Sequence, residues 1–423
     1  MKNTLDINIK ERTENSSMLP FLLGVMLGIN SFDDVLLIVD GLNCIMSRVE
    51  YIFGNHDLYS TLLLPSGKHR ITYTMNGPFT TANSEERLIS IIKKNLEDRK
   101  YSAIFITSLP FQKLMRPDYE RIIKSIKSDI PIIYIDQKKT DDDWIEGYSA
   151  FLSSIISYIF SKGSKKTKRK NTIAILGNMY DRNEYDTKAN ISEICRLVDI
   201  CGYEPIYVFP SGGSFIDVWK IMEAEHIVVL PYIKDLLPQI SKSTSAKVYE
   251  MCLPLGIEAS IRWVYELNKK HVKFAQKIAL ESMERVMPII SVMSGKNIVY
   301  FGEPYMLDSL SYFFDDLNIS VESAFLNTNP KKIDNIRIFK RLLFNYDINK
   351  VDRELGKIID EKHINLIVGN CFSKKLVSGK NIPFLEFGFP SYGFHCLSDQ
   401  PYFGFEGFVS FANRIANSIL STI

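Results

Sequence analysis

The residues best suited to chemistry gather near the C-terminal end of the chain. The stretch FGFPSYGFHCLSDQPYFGFEGF, Phe387 to Phe408, sets one imidazole, His395, beside one thiol, Cys396, among glycines and aromatic rings with hardly any charge. An unperturbed imidazole titrates near neutrality, so His395 is the candidate catalytic residue, as proton donor or substrate anchor. Glycines let backbone approach a bulky ligand or a partner chain closely, and the aromatics offer a flat apolar wall. The plainer alternative is a buried turn in which His395 satisfies a backbone carbonyl. Elsewhere the six cysteines form no CxxC pair, and the six histidines show no HxxxH or HExxH spacing. A self-contained zinc site is therefore not expected.

Those residues need elements to hold them. A chain of 423 residues is too long for one ordinary core and predicts several domains. The net charge of +2 gives no electrostatic case for nucleic acid as the main partner. The first seventeen residues are polar, and the apolar run MLPFLLGVMLGI, Met18 to Ile29, is short and broken by Pro20 and two glycines. Neither a signal peptide nor a membrane span is expected, and a cytoplasmic protein is the default.

Three segments then repeat one grammar. Strand-like runs such as VLLIVDG, ITYTM, SAIFITS and IPIIYID alternate with helical stretches such as SEERLISIIKKNLEDR. Short apolar strands between amphipathic helices imply βαβ units and parallel sheets covered on both faces. The expected division is a polar arm over 1–17 and three α/β domains over 18–164, 165–293 and 294–423. The basic tract SKGSKKTKRKN, Ser161 to Asn171, falls at the first domain junction and reads as a solvated linker. The second domain opens TIAILGN and the third GKNIVYFGEP, each strand–glycine–helix without a GxGxxG fingerprint. Parallel sheets bind ligands at the C-terminal ends of their strands. That rule points to a substrate or cofactor cleft containing Gly177, Ser211, Gly212, Asn370, Cys371, His395 and Cys396.

IVGNCFSKKLVSGKNIPFLEFGFP, PSYGFHCLSDQPYFGFEGF and GKNIVYFGEPYMLDSLSYFFDDLNI resemble the nitrogenase component 1 type oxidoreductase family over roughly Leu19 to Ile419. That family includes nitrogenase molybdenum–iron protein subunits, cofactor-assembly scaffolds and the dark-operative protochlorophyllide reductase. The resemblance implies three Rossmann-like domains and an iron–sulfur cluster. VDGLNCIM, Val39 to Met46, is similar to the family's HGPxGC cluster loop, which makes Cys44 the implied metal ligand. Asp40 replaces the usual His and Leu42 the Pro. The upstream cluster Cys expected near Met18 to Pro20 is missing, and Leu109 stands at or beside the place of a later one. Iron–sulfur clusters typically take four protein ligands, so three readings follow. A partner subunit shares a 4Fe–4S cluster; or oxygens of Asp33, Asp34 or Asp40 assist; or Cys44 is a small buried hydrophobe.

In the nitrogenase α-type subunit a Cys after a second-domain strand anchors the large cofactor; here Leu230 or Pro231 takes that place. Cys195, Cys201, Cys252 and Cys371 read as core residues. By resemblance, the chain is a subunit of an ATP-dependent reductive enzyme that does not reduce dinitrogen. It would work with a second component 1 type subunit in a heterodimer or heterotetramer, an ATP-hydrolysing iron–sulfur reductase and a small-molecule substrate. The alternatives are a metallocofactor or tetrapyrrole assembly scaffold, and a non-catalytic structural subunit.

Overall fold

A computed structural model of the chain describes residues 6–9, 17–43, 46–62, 69–75, 84–98, 100–114, 117–163, 167–330 and 340–421. It is a mixed α/β protein with three sheets. In the first, the strands Ile71–Met75, Val35–Leu42, Ala103–Ser108 and Ile132–Ile135 lie in that order, all parallel. The second orders Glu204–Phe209, Arg169–Leu176, Ala224–Val229 and Lys247–Glu250, with its central pair parallel. The third runs Asp6–Ile9, Arg341–Phe344, Ser320–Leu326, Asn297–Gly302, Leu366–Gly369 and Phe384–Glu386, parallel throughout. Val35–Leu42 is buried along its first seven residues and Ala103–Ser108 along all six, as strands covered on both faces must be.

The chain divides into two compact units. One holds Pro20–Asn183 and Ile206–Val248; the other holds Met1–Leu19, Glu184–Pro205 and Tyr249–Ile423. In the first unit, every residue of the helix Phe21–Asn30 is buried. It lies directly on the backbone of the helix Trp144–Lys162: a Cβ on Gly24 would sit 1.7 Å from the Trp144 carbonyl oxygen, and one on Gly147 2.0 Å from that of Phe21. The glycines in the apolar run are thus the contact surface of a core helix. Among the described residues no helix is long and apolar enough to cross a membrane. Phe32 packs against Phe151, Phe209 and Phe215, and Phe105 against Phe151 and Phe215, with ring centroids 5.1–6.4 Å apart.

The second unit is built on the six-stranded sheet. Phe301 and Phe325 stack at 4.6 Å, and Tyr346 meets both edge-on. The helix Gly404–Leu420 closes the chain and buries Phe408, Phe411, Ile415 and Ile419, while Val409 is only half-buried. Asp6–Ile9, from the polar opening stretch, pair as the edge strand of this sheet.

Candidate functional site

The C-terminal glycine–aromatic loop is organised by carboxylates. Glu386 ends the strand Phe384–Glu386, and its Oε1 accepts hydrogen bonds from Ser391 Oγ (2.9 Å), Tyr392 N (2.6 Å) and Gly393 N (2.7 Å). A Cβ on Gly393 would lie 2.7 Å from Glu386 Oε2, so this glycine is where the chain turns closely over the carboxylate. Asn370 and Cys371 fix the loop's start: Asn370 Nδ2 donates to the Phe389 carbonyl at 3.0 Å and Cys371 N to the Pro390 carbonyl at 3.0 Å. Arg414, from the closing helix, stacks its guanidinium 3.8 Å from the Phe394 ring centre.

Beyond Phe394 the loop reaches the N-terminal end of the helix Tyr185–Ile200. Glu184, at the N-cap position with a fully buried side chain, receives His395 Nδ1 at 2.7 Å on Oε1 and donation from Cys396 N at 2.7 Å on Oε2. Tyr185 N returns a bond to the Cys396 carbonyl at 3.1 Å. A carboxylate accepts, so Nδ1 carries a hydrogen. The imidazole is 23% exposed, and Nε2 has no hydrogen-bond partner among the described residues. Two more side chains of the same helix hold the following residues. Asn190 Oδ1 accepts from Tyr402 N (2.8 Å) and Phe403 N (3.1 Å), and Glu193 Oε2 from Glu406 N (3.2 Å).

Glu184 is not among the candidate residues of the sequence analysis; the structure places it immediately before the helix Tyr185–Ile200. An acidic residue immediately before an acidic first turn was the available signal.

Burial raises the pKa of four of the cysteines. Burial pushes Cys371 up to about 12, with Glu386 adding to the effect, and Cys252 and Cys195 up to about 11. Cys201 rises to about 12 for the same reason. Cys396 is fully buried and its Sγ donates to the Ser398 carbonyl.

In the other unit, Gly177, Ser211 and Gly212 occupy neighbouring loops. Gly177 N donates to the Phe209 carbonyl (2.9 Å), Asn178 Nδ2 to the Pro210 carbonyl (2.9 Å), and a Cβ on Gly212 would meet the Tyr180 hydroxyl at 2.9 Å. Asn370, Cys371, His395 and Cys396 belong to the second unit.

Cys44 lies outside the described residues. The strand before it carries Asp40, whose Oδ1 accepts from Thr74 Oγ1 (2.6 Å) and Oδ2 from the Tyr119 hydroxyl (2.7 Å). Asp34 is likewise occupied, accepting from Ser102, Ser214 and the Phe215 amide. Leu109 fills the space over Gly41, with its Cδ1 2.6 Å from where a Cβ would be. Leu230 is fully buried beside Pro231. Among the described residues no group of three His, Cys, Asp or Glu side chains is placed to hold a metal ion.

The three sheets of parallel strands define an α/β architecture, and comparison with known proteins assigns its family. The profile of the nitrogenase component 1 type oxidoreductase family matches residues 21–420, and the chain belongs to that family. The chain is similar to the nitrogenase molybdenum–iron protein beta chain of Clostridium pasteurianum, with 20% identity over 66% of this chain and 65% of that one. It is 26% identical to the beta chain of Methanothermobacter thermautotrophicus over 65% of each. It thus spans about 65% of the length of these relatives. The solved structure "Nitrogenase Cp1 at pH 6.5" superposes with a TM-score of 0.79 at 16% identity, covering 98% of this chain and 94% of that one. The family generally binds iron–sulfur clusters. The described residues do not fit such a cluster held by this chain alone: Leu109 offers no donor, and Asp40 and Asp34 already have theirs engaged.

Proposed function

We propose that this chain is one subunit of a nitrogenase-like, ATP-dependent two-component reductase acting on a small molecule other than dinitrogen. Its partners in this reading are a second, non-identical component 1 subunit, in a heterodimer or heterotetramer, and a separate ATP-hydrolysing iron–sulfur reductase. Family membership and beta-chain relatives support the assembly. Leu230 and Pro231, which offer no thiolate, count against dinitrogen as substrate. The five free cysteines among the described residues suit the reducing cytoplasm. Any four-iron cluster would be shared, with Cys44 as the thiolate from this chain.

The observation that carries the reading is the His395–Glu184 contact of 2.7 Å. It fixes the ring through Nδ1 and leaves Nε2 free to hold or pass a proton. Asn370, Cys371 and Cys396 then serve as the frame of this binding loop, while Gly177, Ser211 and Gly212 are candidates for ligand contact within their own unit. In the assembled complex, His395→Ala should lower ATP-dependent turnover by roughly 10²–10⁴-fold with assembly intact. Unchanged turnover would remove His395 from the chemistry.

A second reading, a cofactor or tetrapyrrole scaffold, is favoured by Leu109 and the engaged Asp40. It requires pigment or precursor bound to the purified complex without reductase-dependent turnover, which an absorption spectrum would show.

A further inference from the structure

The basic tract and the end of a short helix meet at a cavity of about 510 Å³ in the unit that holds Pro20–Asn183 and Ile206–Val248. Two lysines, Lys168 and Lys242, line it together with the hydroxyl residues Ser243, Thr244 and Ser245. Lys168 is half-buried, and its Nζ donates to the Met222 carbonyl (3.0 Å) and to Thr244 Oγ1 (3.0 Å), which leaves one ammonium hydrogen unused. Burial lowers the pKa of this ammonium, and no carboxylate offsets the loss. Lys242 is exposed in the last turn of the helix Leu237–Ser243 and has no ion pair among the described residues. Among the described residues no carboxylate lines the cavity.

Two uncompensated cations around one concave, hydroxyl-rich surface are not explained by general basicity, since the whole chain carries only +2. A clasp between Lys168 and the ends of the helices Phe215–Glu223 and Leu237–Ser243 explains one lysine but neither Lys242 nor the row of hydroxyls. Ammonium groups and hydroxyls are donors suited to a multivalent oxyanion. The volume is that of a small-molecule site, larger than a bare phosphate needs. Among the described residues no aromatic side chain lines the cavity to stack a base, which disfavours single-stranded nucleic acid. We propose that this cavity binds the phosphate group of a small phosphorylated molecule through Lys168, Lys242 and the hydroxyls of Ser243, Thr244 and Ser245. The proposal is independent of the reductase reading.

Calorimetric titration of the full chain with pyrophosphate, inorganic phosphate and acetate tests it. Pyrophosphate should bind most tightly and acetate least, and binding should weaken with added salt. Lys242→Gln should weaken pyrophosphate binding about tenfold, as expected for one charge-assisted bond. Lys168→Met should weaken it further. That variant also loses the Met222 and Thr244 contacts, so the exposed pair Lys242→Gln and Ser245→Ala decides the matter if it unfolds. No binding at millimolar pyrophosphate, or the same affinity in Lys242→Gln, would overturn the proposal and leave Lys168 as a clasp. Preferential binding of a single-stranded oligonucleotide, lost in Lys242→Gln, would overturn the small-molecule assignment.

Discussion

Glu184 serves two neighbours at once, holding the His395 ring with one oxygen and the Cys396 amide with the other. An amide in its place keeps one acceptor and loses the charge. Glu184→Gln should therefore cost about 1.5–3 kcal/mol of stability, the range for a hydrogen bond to a charged group. It should also move the His395 proton from Nδ1 alone toward a mixture of tautomers, visible in ¹⁵N shifts of the imidazole. A ring still protonated wholly at Nδ1 would mean that Glu184 does not set the tautomer. Asp40 behaves by the same logic in the other unit. Asp40→Ala takes the carboxylate acceptor from the hydroxyls of Thr74 and Tyr119, two buried donors. A buried donor left without an acceptor costs about 1–3 kcal/mol. Chemical denaturation should thus show Asp40→Ala less stable than Tyr119→Phe, which breaks only one of the two contacts.

At the scale of elements, close packing separates two glycines that look alike in sequence. Both lie inside helices, but a Cβ on Gly24 meets the Trp144 backbone at 1.7 Å, whereas one on Gly54 meets nothing within 4 Å. Gly24→Ala should destabilise by about 3 kcal/mol or more, since backbone has to move. Gly54→Ala should stabilise by roughly 0.5–1 kcal/mol through helix propensity. Equal melting temperatures for the two variants would contradict the helix contact. Asp316 gives a pH signature. It accepts from the Ile257 amide at 2.6 Å at the start of the helix Gly256–Leu267, yet burial raises its pKa from 3.8 to about 7. With the folded value above the unfolded one, the folded state binds the extra proton between them. Its contribution is full below about pH 4 and is lost as the pH rises through about 7. Relative to Asp316→Asn, the wild type should lose up to about 1.4 kcal/mol per pH unit across that window. A difference between the two proteins that does not change with pH would refute the assignment.

The same scale shows what could be read in advance. Apolar runs such as VLLIVDG and SAIFITS announce buried parallel strands because both faces are covered, and their helices follow from periodicity. Asp6–Ile9 and Lys247–Glu250 were not legible, since an edge strand rich in polar residues has no such run. FIDVWKIMEAE reads as a helix, and over Phe215–Glu223 that helix is of the 3₁₀ type. His395 stood out by its neighbours in sequence. Glu184, 211 positions away, is brought to it only by the tertiary fold.

For the whole molecule, the question is what one chain can assemble unaided. The loop that resembles the family's cluster loop follows a strand whose one carboxylate, Asp40, is already bonded to Thr74 and Tyr119. Leu109, at or beside the place where the resemblance expects a later ligand, is an aliphatic side chain packed on Gly41. Cys195, Cys201, Cys252 and Cys371 have thiols raised by burial, and Cys396 is fully enclosed with its sulfur directed at a carbonyl. By resemblance, Cys44 is the one thiol of this chain at the loop similar to the family's cluster loop, against the four protein ligands that a four-iron cluster usually needs. Two identical chains would bring two, which still falls short. The chain purified anaerobically by itself should therefore contain well under one iron per chain and show no reducible-cluster signal by EPR. Co-expression with a non-identical component 1 chain should raise iron toward about four per pair, and Cys44→Ala should lower it again while leaving the far-ultraviolet circular dichroism unchanged. Four irons in the chain alone would mean that ligands come from elsewhere in this sequence. An iron-free pair would shift the weight to the scaffold reading, in which Asp40 and Leu109 have turned a cluster loop into packed protein.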